Sequence, residues 1–402
     1  MELVGGDQVR AAARVLHDVV QATPVQPSRT LSRLAGVEVL LKCENLQRTG
    51  SFKLRGAYHR IARLEEGERA GGVVCASAGN HAQGVALAAS LQGVPAIVFM
   101  PEQAPLPKVE ATSSYGAEIR LVGASFDEAL GAASELAERE GRVFVHPFEH
   151  PHVIAGQGTV GLELLAQVPA MGTVVVPVGG GGLVSGVAVA IKDARPQVRV
   201  VGVQAEGAAA FPASLAAGEP RRVEQCETIA DGIAVSKPGR LTLAHVRTLV
   251  DEVVTVDDST IARALVLLLE RAKLVVEPAG AAGVAALLAG RFAAQPPVVA
   301  VLTGGNLDPL VLQHLVTSGL TAEGRYLTLR TRVTDRPGEL HGLLGLLASE
   351  GANVVAVEHH RYGRRLRLEE VEVVIELETR GHDHADRLRD SMRGAGYPVD
   401  VL

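Results

Sequence analysis

Six of the 39 basic residues are lysine, so arginine carries almost all of the solvated positive charge. Only an amine forms a Schiff base with a carbonyl, which makes each remaining lysine a chemical question. Lys53 lies in Gly50-Ser51-Phe52-Lys53-Leu54-Arg55-Gly56, where a glycine turn feeds a helix. A helix N-terminus disfavours an ammonium, and neighbouring Arg48 and Arg55 are expected to lower its pKa further. Taken alone, Lys53 also reads as an ordinary surface lysine. A second run, TVVVPVGGGGLVSG from Thr173 to Gly186, joins a β-type segment to a helix through four glycines. Backbone N–H groups free of side chains, converging with a helix N-terminus, suit a phosphate. No G-K-[ST] follows, which excludes a P-loop. A dinucleotide site using Glu206 as its ribose-binding acid, or a merely tight turn, stays open on this evidence. A third run, Ser77-Ala78-Gly79-Asn80-His81-Ala82-Gln83-Gly84, also follows a strand. There Ser77 or Asn80 either caps the helix or joins free N–H groups in a carboxylate-binding loop. Thr303-Gly304-Gly305-Asn306 closes another strand, and all four runs are expected at one end of a parallel sheet.

The elements that position these runs follow from hydrophobic periodicity. Up to about residue 320, short β-branched runs (GGVVCAS, PAIVFM, TVVVPV, VRVVGVQA) alternate with longer Ala/Leu-rich helical runs. That order predicts an α/β fold with parallel sheet, in two lobes because single cores stop growing at roughly 250–300 residues. Near Thr321 the style changes. Strand (325–334), helix (337–350), strand (353–360), strand (368–379), helix (382–394) and strand (397–401) form a βαββαβ, ferredoxin-like order. Asp335 is expected to cap the first of these helices, with Pro337 in its first turn.

Composition narrows the function. A net charge of −6 from 39 basic and 45 acidic residues argues against nucleic acid. With 47% hydrophobic and 21% charged residues the chain is an ordinary globular protein. The 44 glycines exceed the average usage of about 7%, while aromatic residues are only 3%. Cys43, Cys75 and Cys226 are widely spaced, so neither a disulfide framework nor a thiolate zinc site is expected, and a reducing cytoplasm fits. The N-terminal residues lack the pattern of a signal peptide. The uncharged stretch 173–191 contains five glycines and Pro177, which reads as strand, loop and helix rather than a membrane span. His146, His150 and His152, and the pair His382 and His384, are taken as loop and cap residues rather than metal ligands.

The blocks GSFKLRGA, SAGNHAQGVA, VGGGGL, TIADGIAV, EPAGA and LTGGN, in that order, resemble the fold-type II (tryptophan synthase β-like) pyridoxal-phosphate enzymes, most closely the threonine dehydratases. The resemblance covers roughly residues 10–320, and the tail with its DRPGEL turn resembles an ACT regulatory domain. It implies a catalytic domain over residues 1–322, with a smaller lobe of roughly 45–147 inserted in a larger one, and an ACT domain over 325–402. It also implies pyridoxal 5'-phosphate held by Lys53 as a Schiff base with Phe52 against one face of its ring. Gly179, Gly180, Gly181, Gly182 and the Leu183 N–H would hold the phosphate, Asn80 the ring hydroxyl and Thr303 the ring nitrogen. Glu277 would lie near the ring. Ser77, Ala78, Gly79, Asn80 and His81 would line the substrate carboxylate loop, with Lys53 and Ser77 catalytic. The implied reaction is β-elimination of L-threonine to 2-oxobutanoate and ammonia, and of L-serine to pyruvate, in a cytoplasmic homodimer or homotetramer.

Two departures bear on the alternatives. Serine racemases of this fold have a second serine where this chain has Ala78, which disfavours racemisation. Their divalent-metal Glu is followed six residues later by Asp, whereas Glu206 is followed at that distance by Pro212, so Glu206 is at most a partial cation site. An amino-acid effector is expected at Asp335, Arg336, Pro337, Gly338, Glu339 and Leu340. Against this stands a tail in which Arg330, Arg332, Arg361, Arg364, Arg365 and Arg367 form only a solvated face. An amino-acid sensor without activity is the alternative of another class.

Overall fold

The computed structural model describes residues 2–361 and 369–402. The expected strand start at Leu368 and the arginines Arg364, Arg365 and Arg367 lie outside the described residues. Contacts divide the chain into residues 1–309 and 310–402.

The first unit contains ten strands: β1 (Val25–Pro27), β2 (Val39–Cys43), β3 (Val73–Ala76), β4 (Ala96–Met100), β5 (Glu118–Leu121), β6 (Val143–Phe144), β7 (Thr173–Pro177), β8 (Arg199–Ala205), β9 (Glu252–Val256) and β10 (Val298–Leu302). They form two sheets, ordered β1-β2-β10-β7-β8-β9 and β5-β4-β3-β6. Every pairing is parallel except that of β1 with β2. All of β3–β6 fall in the chain between β2 and β7. Strands β3, β4, β7 and β10 are buried at every residue, as expected for parallel strands covered on both faces and read as continuous apolar runs. Around β7, Val174, Val176, Leu183, Val187, Ile191 and Phe211 form one core. Around β3, Leu54, Ile61, Val73, Val85, Val98 and Met100 form another.

The second unit has helix Pro309–Ala322 followed by β11 (Tyr326–Thr334), β12 (Asn353–His360), β13 (Glu370–Glu378) and β14 (Asp400–Val401). These pair antiparallel in the order β12-β13-β11-β14, with helices Glu339–Ser349 and His382–Gly394 completing a βαββαβ chain order. Along β11 and β13 burial alternates, and Leu329, Val333, Val373 and Ile375 meet Leu343, Leu347 and Leu388 of the helices. The expected cap at Asp335 is not formed. Asp335 N donates to Glu369 O at 2.8 Å and so prolongs the sheet ladder. The cap falls instead on Gly338, whose φ of +98° is left-handed and suits glycine. Pro337 therefore sits in the turn ahead of the helix, and the Asp335 carboxylate lies 3.5 Å from the Arg361 guanidinium.

Candidate functional site

Lys53 is placed by stitching on both sides. After β2 the chain makes two short 3-10 turns, and Thr49 (φ 64°) and Gly50 (φ 68°) are both left-handed. A Cβ on Gly50 would stand 2.4 Å from Asn306 Oδ1, so that close approach requires glycine. Ser51 then bridges to Gly304, and Phe52 N donates to Thr303 O at 3.2 Å. Helix Lys53–Ile61 starts at this point. It packs closely on two neighbours: a Cβ on Gly84 would come within 3.1 Å of Leu54 N, and one on Gly156 within 2.6 Å of Arg55 O.

The Lys53 amine lies 5.2 Å from the Phe52 ring centroid. Burial pushes it down to about 8, opposed by the charge of Glu277. The expected help from Arg55 is absent for a geometric reason. The Arg55 side chain is fully buried and donates to both Glu44 oxygens at 2.8 Å and to Glu163 at 2.6 Å, so its charge is already matched.

The four sequence runs end at the C-terminal edges of strands in two sheets, not one, and line a single cavity of about 970 Å³. Ser77 follows β3, the glycine loop follows β7 and Thr303 follows β10. The helix after β3 begins at Asn80 with Gly79 as its cap residue, while Ser77 Oγ accepts from Gly79 N at 3.2 Å. Asn80 Nδ2 donates to both oxygens of Glu277, at 2.8 and 3.0 Å, and its Oδ1 accepts from Asn306 Nδ2 at 2.8 Å. Burial pushes the Glu277 carboxyl up to about 7, against the pull of the Asn80 bond, and the Asp231 charge adds to the rise. His81 is buried, its Nε2 donates to Val145 O at 2.8 Å, and burial pushes it down to about 3. Ala78 lines the same cavity and offers no hydroxyl.

Residues 16–304 match the family of pyridoxal-phosphate dependent enzymes. The chain belongs to the pyridoxal-phosphate-dependent enzyme family. It is 49% identical over 396 residues to an L-threonine ammonia-lyase of Thermotoga maritima, covering 98% of this chain and 99% of that one. To an L-threonine ammonia-lyase of Geobacter sulfurreducens it is 48% identical over 388 residues, 96% of each. Among solved structures it is similar to maize serine racemase, at a TM-score of 0.75 and 38% identity over 80% of this chain and 99% of that one.

The residues present fit the cofactor of this pyridoxal-phosphate-dependent family. The cradle at Gly179–Gly182 has no room for side chains. A Cβ on Gly180 would meet Phe148 Cδ1 at 2.2 Å, and Gly181 (φ +91°) would place one 2.6 Å from Phe211 Cζ. Helix Gly182–Ala194 begins there without a side-chain cap, leaving its first N–H groups open to a phosphate. Thr303 and Glu277 are both buried at the wall shared with Lys53.

Four residues of this region were given no site role by the sequence. Asn306 orients Asn80 and also donates to Thr49 O at 2.6 Å. Phe148 backs the glycine cradle, and Glu149 accepts from Leu241 N at 2.6 Å and Thr242 N at 3.2 Å. His146 lines the cavity beside them. The available signal was the HPFEHPH run, read only for metal. Among the described residues no group of three or more His, Cys, Asp or Glu is placed to hold a metal ion. Glu206 lies at an exposed position after β8, 3.7 Å from Arg291. His384 is buried and donates from Nε2 to Glu350 O at 2.9 Å.

Proposed function

We propose that the chain is an L-threonine ammonia-lyase, converting L-threonine to 2-oxobutanoate and ammonia and acting also on L-serine to give pyruvate. The observation that carries this reading is the half-buried Lys53 amine, pushed down to about 8, in a cavity that also holds the glycine cradle and the Ser77–His81 loop. Pyridoxal phosphate, when bound, supplies the sink for the electron pair left at Cα. Lys53 takes the α-proton as general base, a role favoured by an amine whose pKa has been brought down from its ordinary value toward neutrality. Ser77 Oγ and the N–H groups at the start of helix Asn80–Leu91 receive the substrate carboxylate. The buried Thr303 hydroxyl, where other enzymes of this chemistry use a carboxylate, leaves the ring nitrogen without an anionic partner and favours elimination over transamination. Ala78 provides no hydroxyl to return a proton on the opposite face of Cα, which supports a lyase over a serine racemase.

The domain reading is catalytic over residues 1–322 and ACT-like regulatory over 325–402, with an amino-acid effector at Asp335–Leu340 and a homodimeric or homotetrameric assembly. The βαββαβ order of the second unit supports it. A cytoplasmic location is supported by three free cysteines, and no helix among the described residues is long and apolar enough to cross a membrane.

The test is the visible spectrum and 2-oxoacid release from threonine and serine, for wild type and Lys53→Ala. Wild type is expected to be coloured and active and the variant inactive. A colourless, inactive wild type refutes the reading. Capture of added cofactor by the cofactor-free chain should accelerate as pH rises through about 8, because only the unprotonated amine is nucleophilic. Kinetics unchanged by isoleucine, valine and other amino acids would remove the regulatory role.

A further inference from the structure

The run His146-Pro147-Phe148-Glu149-His150-Pro151-His152 carries three histidines with different employment. His150 caps helix Pro151–Gln167 by accepting from His152 N at 3.1 Å. His146 Nδ1 accepts from two backbone amides, Phe148 N at 3.2 Å and Glu149 N at 2.9 Å. A ring nitrogen that accepts from amides carries no proton, so the neutral imidazole holds its proton on Nε2. The strap that imposes this tautomer is itself pinned, because the Glu149 carboxylate accepts from Leu241 N and Thr242 N at the start of helix Arg240–Leu249. Among the described residues the hydrogen bonds of this ring fall on Nδ1 alone, and the ring lines the cavity.

Its place in that cavity is set by two neighbours. β6 runs parallel to β3 with Phe144 opposite Val74, which carries His146 alongside the strand end that opens into the Ser77 loop. On the other side its ring meets Phe148 edge-on, with centroids 4.5 Å apart, and Phe148 backs Gly180 and Gly182. The ring, with Nε2–H as its remaining donor, thus stands between the carboxylate loop and the phosphate cradle. An amino acid gripped by its carboxylate at the first and joined through its nitrogen to a group seated in the second must place its side chain in that interval. Burial and the nearby Lys53 charge push His146 down to about 4, so the ring is neutral in working conditions. A neutral imidazole is a poor acid, and it donates a hydrogen bond without giving up the proton.

Resting on the lyase reading above, we propose that His146 Nε2–H donates a hydrogen bond to the β-oxygen of the substrate and thereby sets the preference for hydroxy amino acids. In the elimination the Cα–H bond breaks with its proton going to Lys53. The Cβ–O bond breaks with its electron pair staying on oxygen, and that oxygen takes one proton, balanced by the one Lys53 has gained, and leaves as water. His146 stabilises the charge growing on oxygen and supplies none of these protons.

The test separates the two ends of the ring. His146→Asn keeps an acceptor near the position of Nδ1 and removes the donor at Nε2; His146→Gln carries an amide N–H to the position of Nε2. Each is assayed on L-threonine, L-serine and β-chloro-L-alanine, whose chloride leaves without needing a proton, and each is titrated with pyridoxal phosphate to measure loading. His146→Asn should load the cofactor normally, lose about 10²-fold in kcat on threonine and serine, and stay within about threefold on chloroalanine. His146→Gln should recover about tenfold or more of the loss. Equal losses on hydroxyl and chloride substrates, or a His146→Asn enzyme with wild-type kcat on threonine, overturn the proposal. If His146→Asn does not fold, His146→Gln decides: folded and inactive on threonine refutes, folded and active supports. A wild type inert on all three substrates refutes the lyase reading instead.

Discussion

Replacing Arg55 by Met removes the centre of an ion network, buried except at the edge of Glu163, two residues from Lys53. The five guanidinium N–H groups of Arg55 meet both oxygens of Glu44, Glu163 Oε1, Thr159 Oγ1 and Gln21 O. Glu163 hands its second oxygen to Lys42 Nζ at 2.5 Å, and Lys42 completes its own set with Thr23 O and Gln167 Oε1. Met roughly conserves the volume, so the cost is electrostatic. Glu163 keeps Lys42, whereas Glu44, with no exposed surface, is left with the Thr23 hydroxyl as its hydrogen-bond donor. Stranding one buried carboxylate costs about 3–5 kcal/mol, while removing both partners of such a pair is far cheaper. Arg55→Met should therefore lose about 3–5 kcal/mol, and Arg55→Met with Glu44→Met should regain about 2 kcal/mol or more of that. Acid supplies a second signature. In wild type, burial pushes the Glu44 carboxyl up, but the charge and hydrogen bonds of Arg55 outweigh it and hold it below the usual range. That contribution is present above the unfolded carboxyl pKa and is lost as pH falls through the folded one. In Arg55→Met burial prevails and Glu44 titrates above its unfolded value, so the variant regains stability on mild acidification while wild type does not. Urea unfolding of the whole chain by circular dichroism, read at the catalytic unit's transition at several pH values, measures all three effects. A loss below about 1 kcal/mol, or a double variant no more stable than the single one, would refute the reasoning.

Gly180→Ala drives a methyl to 2.2 Å from Phe148 Cδ1, far inside ordinary contact. Phe148 cannot retreat freely because its backbone lies 3.0 Å from the Cβ position of Gly182, so overpacking of about 1–3 kcal/mol is expected. Felt at the phosphate cradle, that is roughly a 5- to 150-fold weaker cofactor, measured by titrating the cofactor-free chain; unchanged affinity would separate the loop from the phosphate. His59, His81, His146 and His150 are all pushed down by burial, to about 4, 3, 4 and 4. The unfolded chain binds these protons near 6.5 and the folded one does not, so stability is full above 6.5 and declines as pH falls from there toward 4. Thermal midpoints across that range measure the decline, and His59→Gln should flatten it; an identical slope in the variant would argue against the buried-imidazole origin.

Much of the site was legible because its chemistry depends on residue types that substitute poorly. A glycine run after a strand announces an anion, and a rare lysine after a glycine turn announces an amine. The α/β class and the βαββαβ tail were equally readable, since continuous apolar runs and alternating ones report burial on two faces or one. Caps and charge environments were less readable. Asp335 was a reasonable cap until the sheet ladder claimed its N–H, and Arg55 a reasonable neighbour for Lys53 until Glu44 and Glu163 matched its charge.

By itself the sequence determined the ordered set of chemical runs and the family they belong to, because these depend on local backbone geometry and side-chain identity. Only the tertiary structure decided that the runs end on two sheets facing one cavity, that burial rather than neighbouring arginines lowers Lys53, and that Asn306 orients Asn80. It alone decided that the Phe148 and Glu149 amides take up Nδ1 of His146 and so fix its tautomer. These are matters of desolvation and of hydrogen bonds between residues far apart in the chain, and linear spacing carries no record of either.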